Sequence, residues 1–419
     1  AVPDASLAPV NESVMDFLRE QKAGGRRIIL ATASHERIAQ EAAKHLGVFN
    51  DVIATSDGPN VGGANKVTAI RELIGEEEFD YIGDRSADIP IWKVAHEALA
   101  VNPASNLEEQ LGRPFDNVFR EARTGMRDFL KLIRVHQWLK NLLLFVPLVL
   151  AHRVTDVPHL VDCVLAFIAF SFCASGVYVI NDLLDLEADR AHPRKRKRPF
   201  ASGRVPVQYG LLLSPLLFST SALLALSLSP QFFFALMLYV MFTSMYTLAL
   251  KRIALVDVFV LGGLYAYRVW CGAIAVDVPI SAWMLAFSLF MFLSLAFVKR
   301  FSELLTVQKL NGELTKGRGY SVYDIDAVRT MGITSGYMSV LVMALYINSA
   351  DVGGLYAHPQ RLWMVVPLIL YWISRVWLIA QRGEMKDDPV IFALEDRTSY
   401  VVVLCAGCVI LLSSLHFQW

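Results

Sequence analysis

Residues 160–189 read LVDCVLAFIAFSFCASGVYVINDLLDLEAD, an apolar run that closes on Asn181, Asp182, Asp185 and Asp189. A helical run of about 20 apolar residues is long enough to cross the hydrocarbon core of a bilayer. Working outward, eight further segments of similar character bring the total to nine, at about 139–154, 160–181, 207–227, 230–250, 255–275, 281–298, 331–350, 361–380 and 399–417. Their weight shows in the composition: 55% of the 419 residues are hydrophobic and 19% charged, which argues against a purely cytosolic enzyme. Lys and Arg number 39 and match 39 Asp and Glu, and a net charge of zero argues against a nucleic-acid binder held by bulk electrostatics.

The cations are unevenly placed. The loops after the second, fourth, sixth and eighth segments carry eighteen of them: Arg190, the run 194–198 (Arg194, Lys195, Arg196, Lys197, Arg198), Arg204, Lys251, Arg252, Lys299, Arg300, Lys309, Lys316, Arg318, Arg329, Arg382, Lys386 and Arg397. The opposite loops carry only Arg153 and Arg361. Because Lys and Arg collect on the cytoplasmic side, this predicts that the N-terminal region and the even-numbered loops face the cytoplasm. Residues 1–122 alternate short β runs with amphipathic helices, an α/β pattern, and residues 121–131 read as a basic interfacial helix leading into a membrane domain over 123–419. Five cysteines lie in apolar stretches with no metal spacing beyond one C-x-x-C, Cys405 to Cys408, so they read as packing residues. The chain starts at Ala1 without a basic-then-apolar leader and reads as truncated or processed.

Asp182, Asp185 and Asp189 stand at i, i+3 and i+7, which on a continuous helix is one face. Carboxylates that close repel unless a divalent cation lies between them, and Mg²⁺ favours one or two carboxylates together with substrate phosphates. The pattern therefore predicts a magnesium–diphosphate site; a solvated helix end at the membrane surface is the competing reading. The basic cluster that follows suits both phosphate oxygens and anionic lipid, and Arg198, fixed by Pro199, is its best candidate for a phosphate.

Asn181-Asp182-x-x-Asp185-x-x-x-Asp189, followed by Lys195-Arg196-x-Arg198-Pro199-x-Ala201-Ser202-Gly203, resembles the first signature of the UbiA superfamily of intramembrane prenyltransferases. Within it the similarity is closest to the branch that transfers phosphoribose to decaprenyl phosphate. It covers about residues 130–419, with further matches at Arg134, Lys140 and Asn141, at Tyr246, Lys251, Asp257 and Arg268, at Lys299, Arg300 and Glu303, and at Asp388, Pro389, Asp396 and Arg397. The resemblance implies a membrane all-α bundle of nine transmembrane helices, with Asp182, Asp185 and Asp189 holding Mg²⁺ and pyrophosphate. Asp182, Asp185, Lys251 and Asp257 are its expected catalytic residues. Arg134, Lys140, Asn141, Asn181, Arg198, Tyr246, Arg268, Lys299, Arg300 and Glu303 are its expected substrate-binding residues. Prenyltransferases of the superfamily bind a second Mg²⁺ at a second acidic motif, where this chain has Asp257 alone, as a metal or ribose ligand or as the partner of Lys251 or Arg268. An unpaired charge at the mid-membrane depth of Arg268 costs about 2.5 kcal/mol or more, so Arg268 is expected to meet a phosphate or an aspartate.

Residues 27–34 (RIILATAS), Lys66 and residues 81–88 (YIGDRSAD) resemble the later motifs of the haloacid-dehalogenase (HAD) phosphatases. This implies a partial α/β, Rossmannoid cytoplasmic domain in which Thr32, Lys66, Asp84 and Asp88 are a phosphate- or Mg²⁺-binding remnant. That family's nucleophile is the first Asp of a D-x-D motif. No such motif precedes Arg27, and Asp4 and Asp16 lie in unsuitable contexts, so phosphatase activity is not expected of this chain. A truncated phosphatase and a degenerate regulatory domain are both open.

The functional expectation is Mg²⁺-dependent transfer of 5-phosphoribose from phosphoribosyl diphosphate to a polyprenyl (decaprenyl) phosphate. The setting is the bacterial inner membrane and the synthesis of an arabinose donor for the cell envelope. The expected partners are these two substrates and the lipid bilayer, without nucleic acid, and a homo-oligomer is possible in principle. The alternatives are an aromatic prenyltransferase using prenyl diphosphate and a non-catalytic membrane anchor for the HAD-like domain.

Overall fold

The computed structural model describes residues 10–56, 60–120, 124–193, 195–279, 281–310, 318–349, 352, 355–385 and 388–414. Asp4 and three of the cations used for orientation, Arg194, Lys316 and Lys386, lie outside the described residues. The chain divides into two compact units, Ala1–Leu132 with Asp182–Val207, and Ile133–Asn181 with Gln208–Trp419.

The first unit contains the α/β region. Helices Glu12–Ala23, Glu36–Leu46 and Ala64–Ile74 alternate with strands Ile29–His35, Asp51–Thr55 and Tyr81–Gly83, and strands Ala98–Val101 and Asn117–Phe119 follow. Asn11 caps the first helix through the Val14 N–H, and Gly47 ends the second at φ +66°, a conformation that costs a residue without Cβ nothing. The strands form two separate parallel sheets. Ile29–His35 pairs with Asp51–Thr55, and Ala98–Val101 lies between Tyr81–Gly83 and Asn117–Phe119. A cavity of about 500 Å³ is lined by Ile29–Ala31 of one sheet and Tyr81 and Ile82 of the other. The core beside the three-stranded sheet is built on Ile91, Trp92, Ala98 and Ala100, and the Trp92 indole N–H donates to the Leu99 carbonyl.

The second unit supplies the membrane bundle. Among the described residues eight helices are long and apolar enough to cross a membrane: Val157–Leu184, Val207–Leu228, Pro230–Leu248, Val256–Ala275, Ala282–Lys309, Val322–Ile347, Pro359–Arg382 and Arg397–Ser414. A ninth span results if the broken stretch Met126–Leu132 plus Val135–Leu150 is counted as one. Exposed Leu211, Leu212, Leu223, Phe234 and Leu404 give the bundle a lipid-facing surface, and the chain is an integral multi-pass membrane protein. Helix contacts rely on small residues. A Cβ at Gly272 would lie 2.1 Å from the Leu144 carbonyl oxygen, and one at Gly332 would lie 2.2 Å from the Trp377 ring. Cys163, Cys173 and Cys271 are buried, and all five cysteines are free.

Two segments differ from the sequence reading. The first apolar stretch is a 3₁₀ helix over Val135–Phe145 that passes into a short α-helix, Val146–Leu150, rather than one α-helix. Its packing explains the tighter winding. The Trp138 indole donates to Ser175 Oγ at 2.9 Å and the Asn141 amide to Ser171 Oγ at 2.9 Å, so three residues here match four on Val157–Leu184. Three 3₁₀ residues and four α residues both rise about 6 Å, which makes the two ladders commensurate. The sixth segment extends past its expected end at 298 as one helix, Ala282–Lys309, so Lys299, Arg300 and Glu303 sit within it rather than on a loop.

Candidate functional site

The acidic motif is not carried on one helix face. Val157–Leu184 ends one residue before Asp185, and a new helix, Leu186–Ala191, begins after it. Asp182 and Asp189 are buried while Asp185 is exposed, so the expected convergence of three carboxylates is replaced by a pair. Arg198 Nη1 stands between the two, 3.1 Å from Asp182 Oδ1 and 2.5 Å from Asp189 Oδ2. Lys195, largely exposed, reaches to 3.8 Å from Asp189 Oδ1, an atom that is buried and makes no hydrogen bond. Among the described residues no three His, Cys, Asp or Glu side chains gather as a metal site. Two buried carboxylates about one cation, with an oxygen left over, nevertheless fit the hard donor set of Mg²⁺ completed by substrate phosphates. The residues that would hold it are Asp182 and Asp189, and Asn181 precedes them at the end of the helix.

The bundle unit contains three polar clusters in apolar surroundings. In the first, Lys140 Nζ lies 2.5 Å and Lys299 Nζ 3.5 Å from the same atom, Asp388 Oδ2, and the Tyr265 hydroxyl is within 3.5 Å. Asp388 Oδ1 accepts the N–H groups of Val390 and Ile391, capping the helix Pro389–Glu395. Burial, the largest single influence, opposes the charge on Asp388, yet Lys140 and Lys299 together hold its carboxyl below the usual range.

In the second cluster Arg268 donates to Asn141 Oδ1 at 3.1 Å, to Tyr239 Oη at 2.8 Å and to the Leu264 carbonyl at 2.7 Å. The rings of Phe170, Tyr239 and Tyr265 lie about the guanidinium. Of the two expected partners, a phosphate or an aspartate, no aspartate meets Arg268 among the described residues; neutral acceptors and aromatic faces surround it and offset the desolvation of a buried charge.

The third cluster surrounds Asp257, which is fully buried. Arg300 Nη2 at 2.7 Å, Arg318 Nη1 at 3.1 Å and the Tyr320 hydroxyl at 2.7 Å meet it. Glu303 bonds Arg300 and lies 3.6 Å from Arg318, which also reaches the Tyr246 hydroxyl at 3.3 Å. Asp257 therefore pairs with Arg300 and Arg318, and not with Lys251 or Arg268. Lys251 is half-buried on the turn Leu250–Arg252. Arg134 has a left-handed backbone, φ +53°, and its guanidinium stacks 4.8 Å from the Tyr178 ring centroid.

In the α/β region Lys66 Nζ donates to Asp88 Oδ1 at 3.3 Å and to the Tyr81 hydroxyl at 2.9 Å. The Tyr81 hydroxyl in turn donates to Asp88 Oδ1 at 2.8 Å. Asp88 Oδ2 accepts the N–H groups of Asp84 and Arg85. Burial and the neighbouring Asp88 carboxylate push the Tyr81 phenol up. Asp84 is exposed and meets Asp88 through its backbone N–H, and Thr32 accepts the Ser34 N–H, so of the four remnant side chains Lys66 and Asp88 are the pair in contact.

Asp388, Tyr265, Arg318 and Tyr320 join these clusters although the sequence reading gave them no site role. Asp388 carries a misleading signal, since an Asp before Pro at a helix start reads as a cap. Arg318 and Tyr320 follow a polar stretch of sequence and offer no periodic pattern.

The UbiA prenyltransferase family matches residues 142–395, and the haloacid dehalogenase-like hydrolases match residues 2–93. The protein y4nM of Sinorhizobium fredii is 35% identical over 398 residues, covering 94% of this chain and 77% of its own. The decaprenyl-phosphate phosphoribosyltransferase of Mycolicibacterium smegmatis is 30% identical over 284 residues, 66% of this chain and 88% of that protein. A UbiA homolog from Archaeoglobus fulgidus, solved bound to GPP and Mg²⁺, superposes with a TM-score of 0.52 at 16% identity, over 68% of this chain and 99% of that one. That likeness establishes the fold.

Proposed function

Because the chain belongs to the UbiA prenyltransferase family, with a HAD-like α/β region before the membrane bundle, we propose that it transfers 5-phosphoribose from phosphoribosyl diphosphate to a polyprenyl phosphate, decaprenyl phosphate being the type, and releases pyrophosphate. The observation that carries this reading is the surroundings of Asp257, which this proposal takes as the remnant of a second acidic motif: two arginines and a tyrosine already saturate it. The relative named as a decaprenyl-phosphate phosphoribosyltransferase supports the same reading.

In this proposal Asp182 and Asp189 hold Mg²⁺, whose charge when bound offsets that of the leaving pyrophosphate. Arg198, poised between those carboxylates, turns a donor to the same phosphates, while Lys140 and Lys299 present two ammoniums to a phosphate group. A phosphate oxygen of the lipid forms the new bond to ribose C1 as the bond from C1 to the diphosphate oxygen breaks. The lipid phosphate is already anionic, so no strong general base is required, and stabilising the departing charge is the main catalytic task. Asn181, Arg134 and Lys251 orient the sugar and its phosphates. The positive-inside asymmetry supports an inner-membrane protein whose residues 1–122 and acidic motif face the cytoplasm, joined to a transferase domain at 123–419.

The test incubates the purified protein and Mg²⁺ with labelled phosphoribosyl diphosphate and polyprenyl phosphate, and separately with prenyl diphosphate and 4-hydroxybenzoate. Label entering the lipid phase in the first mixture, and lost on adding EDTA, upholds the proposal. Product in the second mixture alone overturns it in favour of an aromatic prenyltransferase, and product in neither overturns both.

A further inference from the structure

Two ammoniums in an apolar bundle repel each other and have no reason to share one point. Yet Lys140 and Lys299, from the stretch Val135–Phe145 and the helix Ala282–Lys309, both reach Asp388 Oδ2. That oxygen cannot swing away, because Oδ1 of the same carboxylate is tied to the N–H groups of Val390 and Ile391. Tyr265 closes another side, with its hydroxyl near Asp388 and its ring 5.8 Å from Lys140 Nζ. Two cations against one carboxylate leave a surplus positive charge where Asp388 and Lys140 are buried and Lys299 is partly exposed, so that the cluster is open to an incoming ligand on the Lys299 side. An unmatched charge in such surroundings is costly unless a counter-ion takes it up.

We propose that Asp388 is a positioning residue for a phosphate-monoester subsite: it draws the Lys140 and Lys299 ammoniums to one point, where they are ready to donate together to an arriving phosphate. A monoester near neutral pH carries between one and two negative charges and three acceptor oxygens, which matches two convergent ammoniums better than a single carboxylate does. Both substrates of the proposed reaction carry such a group, the lipid at its head and the donor at its 5-position. The proposal rests on the transferase reading only for which of these occupies the subsite.

The experiment uses the full chain in detergent and compares Asp388→Asn with Asp388→Ala. Asn caps a helix about as well as Asp and Ala does not, so the first variant removes the charge and keeps the cap. Thermal unfolding is followed alone and with farnesyl phosphate, ribose 5-phosphate or uncharged farnesol. The wild-type chain is expected to be stabilised by at least one phosphate ester and not by farnesol. Asp388→Asn keeps the cap but strands two ammoniums, so without ligand it should unfold below the wild type and still cooperatively, and it should bind that ester at least about tenfold more weakly, the scale of a lost charge-assisted contact. In the transfer assay the same change should appear in KM for the ester-bearing substrate, with kcat changed less than KM. Stabilisation by farnesyl phosphate assigns the lysines to the lipid, and stabilisation by ribose 5-phosphate assigns them to the donor; either upholds the subsite. The proposal fails if Asp388→Asn binds the ester as the wild type does and only Asp388→Ala is impaired, since Asp388 is then a helix cap alone. It fails equally if farnesol stabilises as well as farnesyl phosphate and ribose 5-phosphate does nothing. Ester binding that depends on Asp388, in a protein that transfers no phosphoribose, would uphold the subsite and overturn the transferase reading.

Discussion

Asp88 in the α/β region and Asp388 in the bundle are built alike. Each gives one carboxylate oxygen to two backbone N–H groups and the other to ammonium and phenol groups. They differ by one lysine. Asp88 meets Lys66 alone and the pair is neutral, whereas Asp388 meets Lys140 and Lys299 and a positive charge is left over. A balanced buried pair completes itself and serves packing, and an unbalanced one calls for a ligand of opposite sign. The acidic motif is the inverse case, with two buried carboxylates about Arg198 and an exposed lysine 3.8 Å from Asp189.

If surplus charge marks function, the largest effect should come from removing it. Asp182→Ala or Asp189→Ala is expected to lower transfer at least about a thousandfold, as when a principal electrostatic stabiliser of a transition state is lost. EDTA should do the same to the wild-type chain, and added Mg²⁺ should restore it, measured as label entering the lipid phase. Equal loss in both variants with the fold intact would also reject a passive membrane anchor. Transfer that survives both substitutions would remove the acidic motif from the reaction.

Next in size is a direct contrast of the two lysine–aspartate pairs. Lys140→Met should lower kcat/KM about a hundredfold, the worth of roughly one charge-assisted contact to phosphate in an apolar site. Lys66→Met should leave transfer within about twofold, because the pair it breaks is balanced and supplies no group to the proposed chemistry. A comparable loss in both would erase the distinction drawn between them.

How much of this was legible in the sequence follows the range of the interactions involved. The apolar spans are a local property of some twenty consecutive residues, and the structure has them as eight helices with a ninth if the broken stretch is counted. The parallel α/β pattern was legible for the same reason. What escaped depended on partners far along the chain. The 3₁₀ winding of Val135–Phe145 answers to Ser171 and Ser175, and no periodicity within the stretch itself announces it. The break at Asp185 sets aside the i, i+3, i+7 rule, which holds only while one helix continues. Lys140 and Asp388 are 248 residues apart, so their meeting was invisible to any spacing argument. Arg268 was correctly expected to need partners, but composition alone did not favour neutral acceptors and aromatic faces over an aspartate.

The balanced pair should still matter to its own region. Lys66→Met leaves Asp88 buried with only Tyr81 and backbone donors, a loss of about 3 kcal/mol at the lower end for breaking a buried pair. Hydrogen exchange in Tyr81–Gly83 and Ala98–Val101 of the full chain should then speed up by about a hundredfold where those strands open together. Exchange confined to its wild-type rate would mean that the pair holds nothing.

The smallest effect concerns Asp80, just before strand Tyr81–Gly83, which Arg26 meets at 2.5 Å and the Glu97 N–H at 3.0 Å. Burial, the largest single influence, pushes its carboxyl up, but the bonds from Arg26, Glu97 and His96 together outweigh it and hold the group below the usual carboxylate range. A carboxyl depressed by folding stabilises the folded state above its unfolded pKa, about 4, and that contribution fades as pH falls through the folded value. Asp80→Asn should therefore weaken protection of the α/β strands at pH 7 by a modest factor, and the gap between variant and wild type should close as the pH drops below about 4. The bundle helices have no part in this pair, so their exchange should not change between the two proteins. A gap independent of pH would show that Asp80 acts through its hydrogen bonds alone, and that charge balance is not what this part of the α/β region depends on.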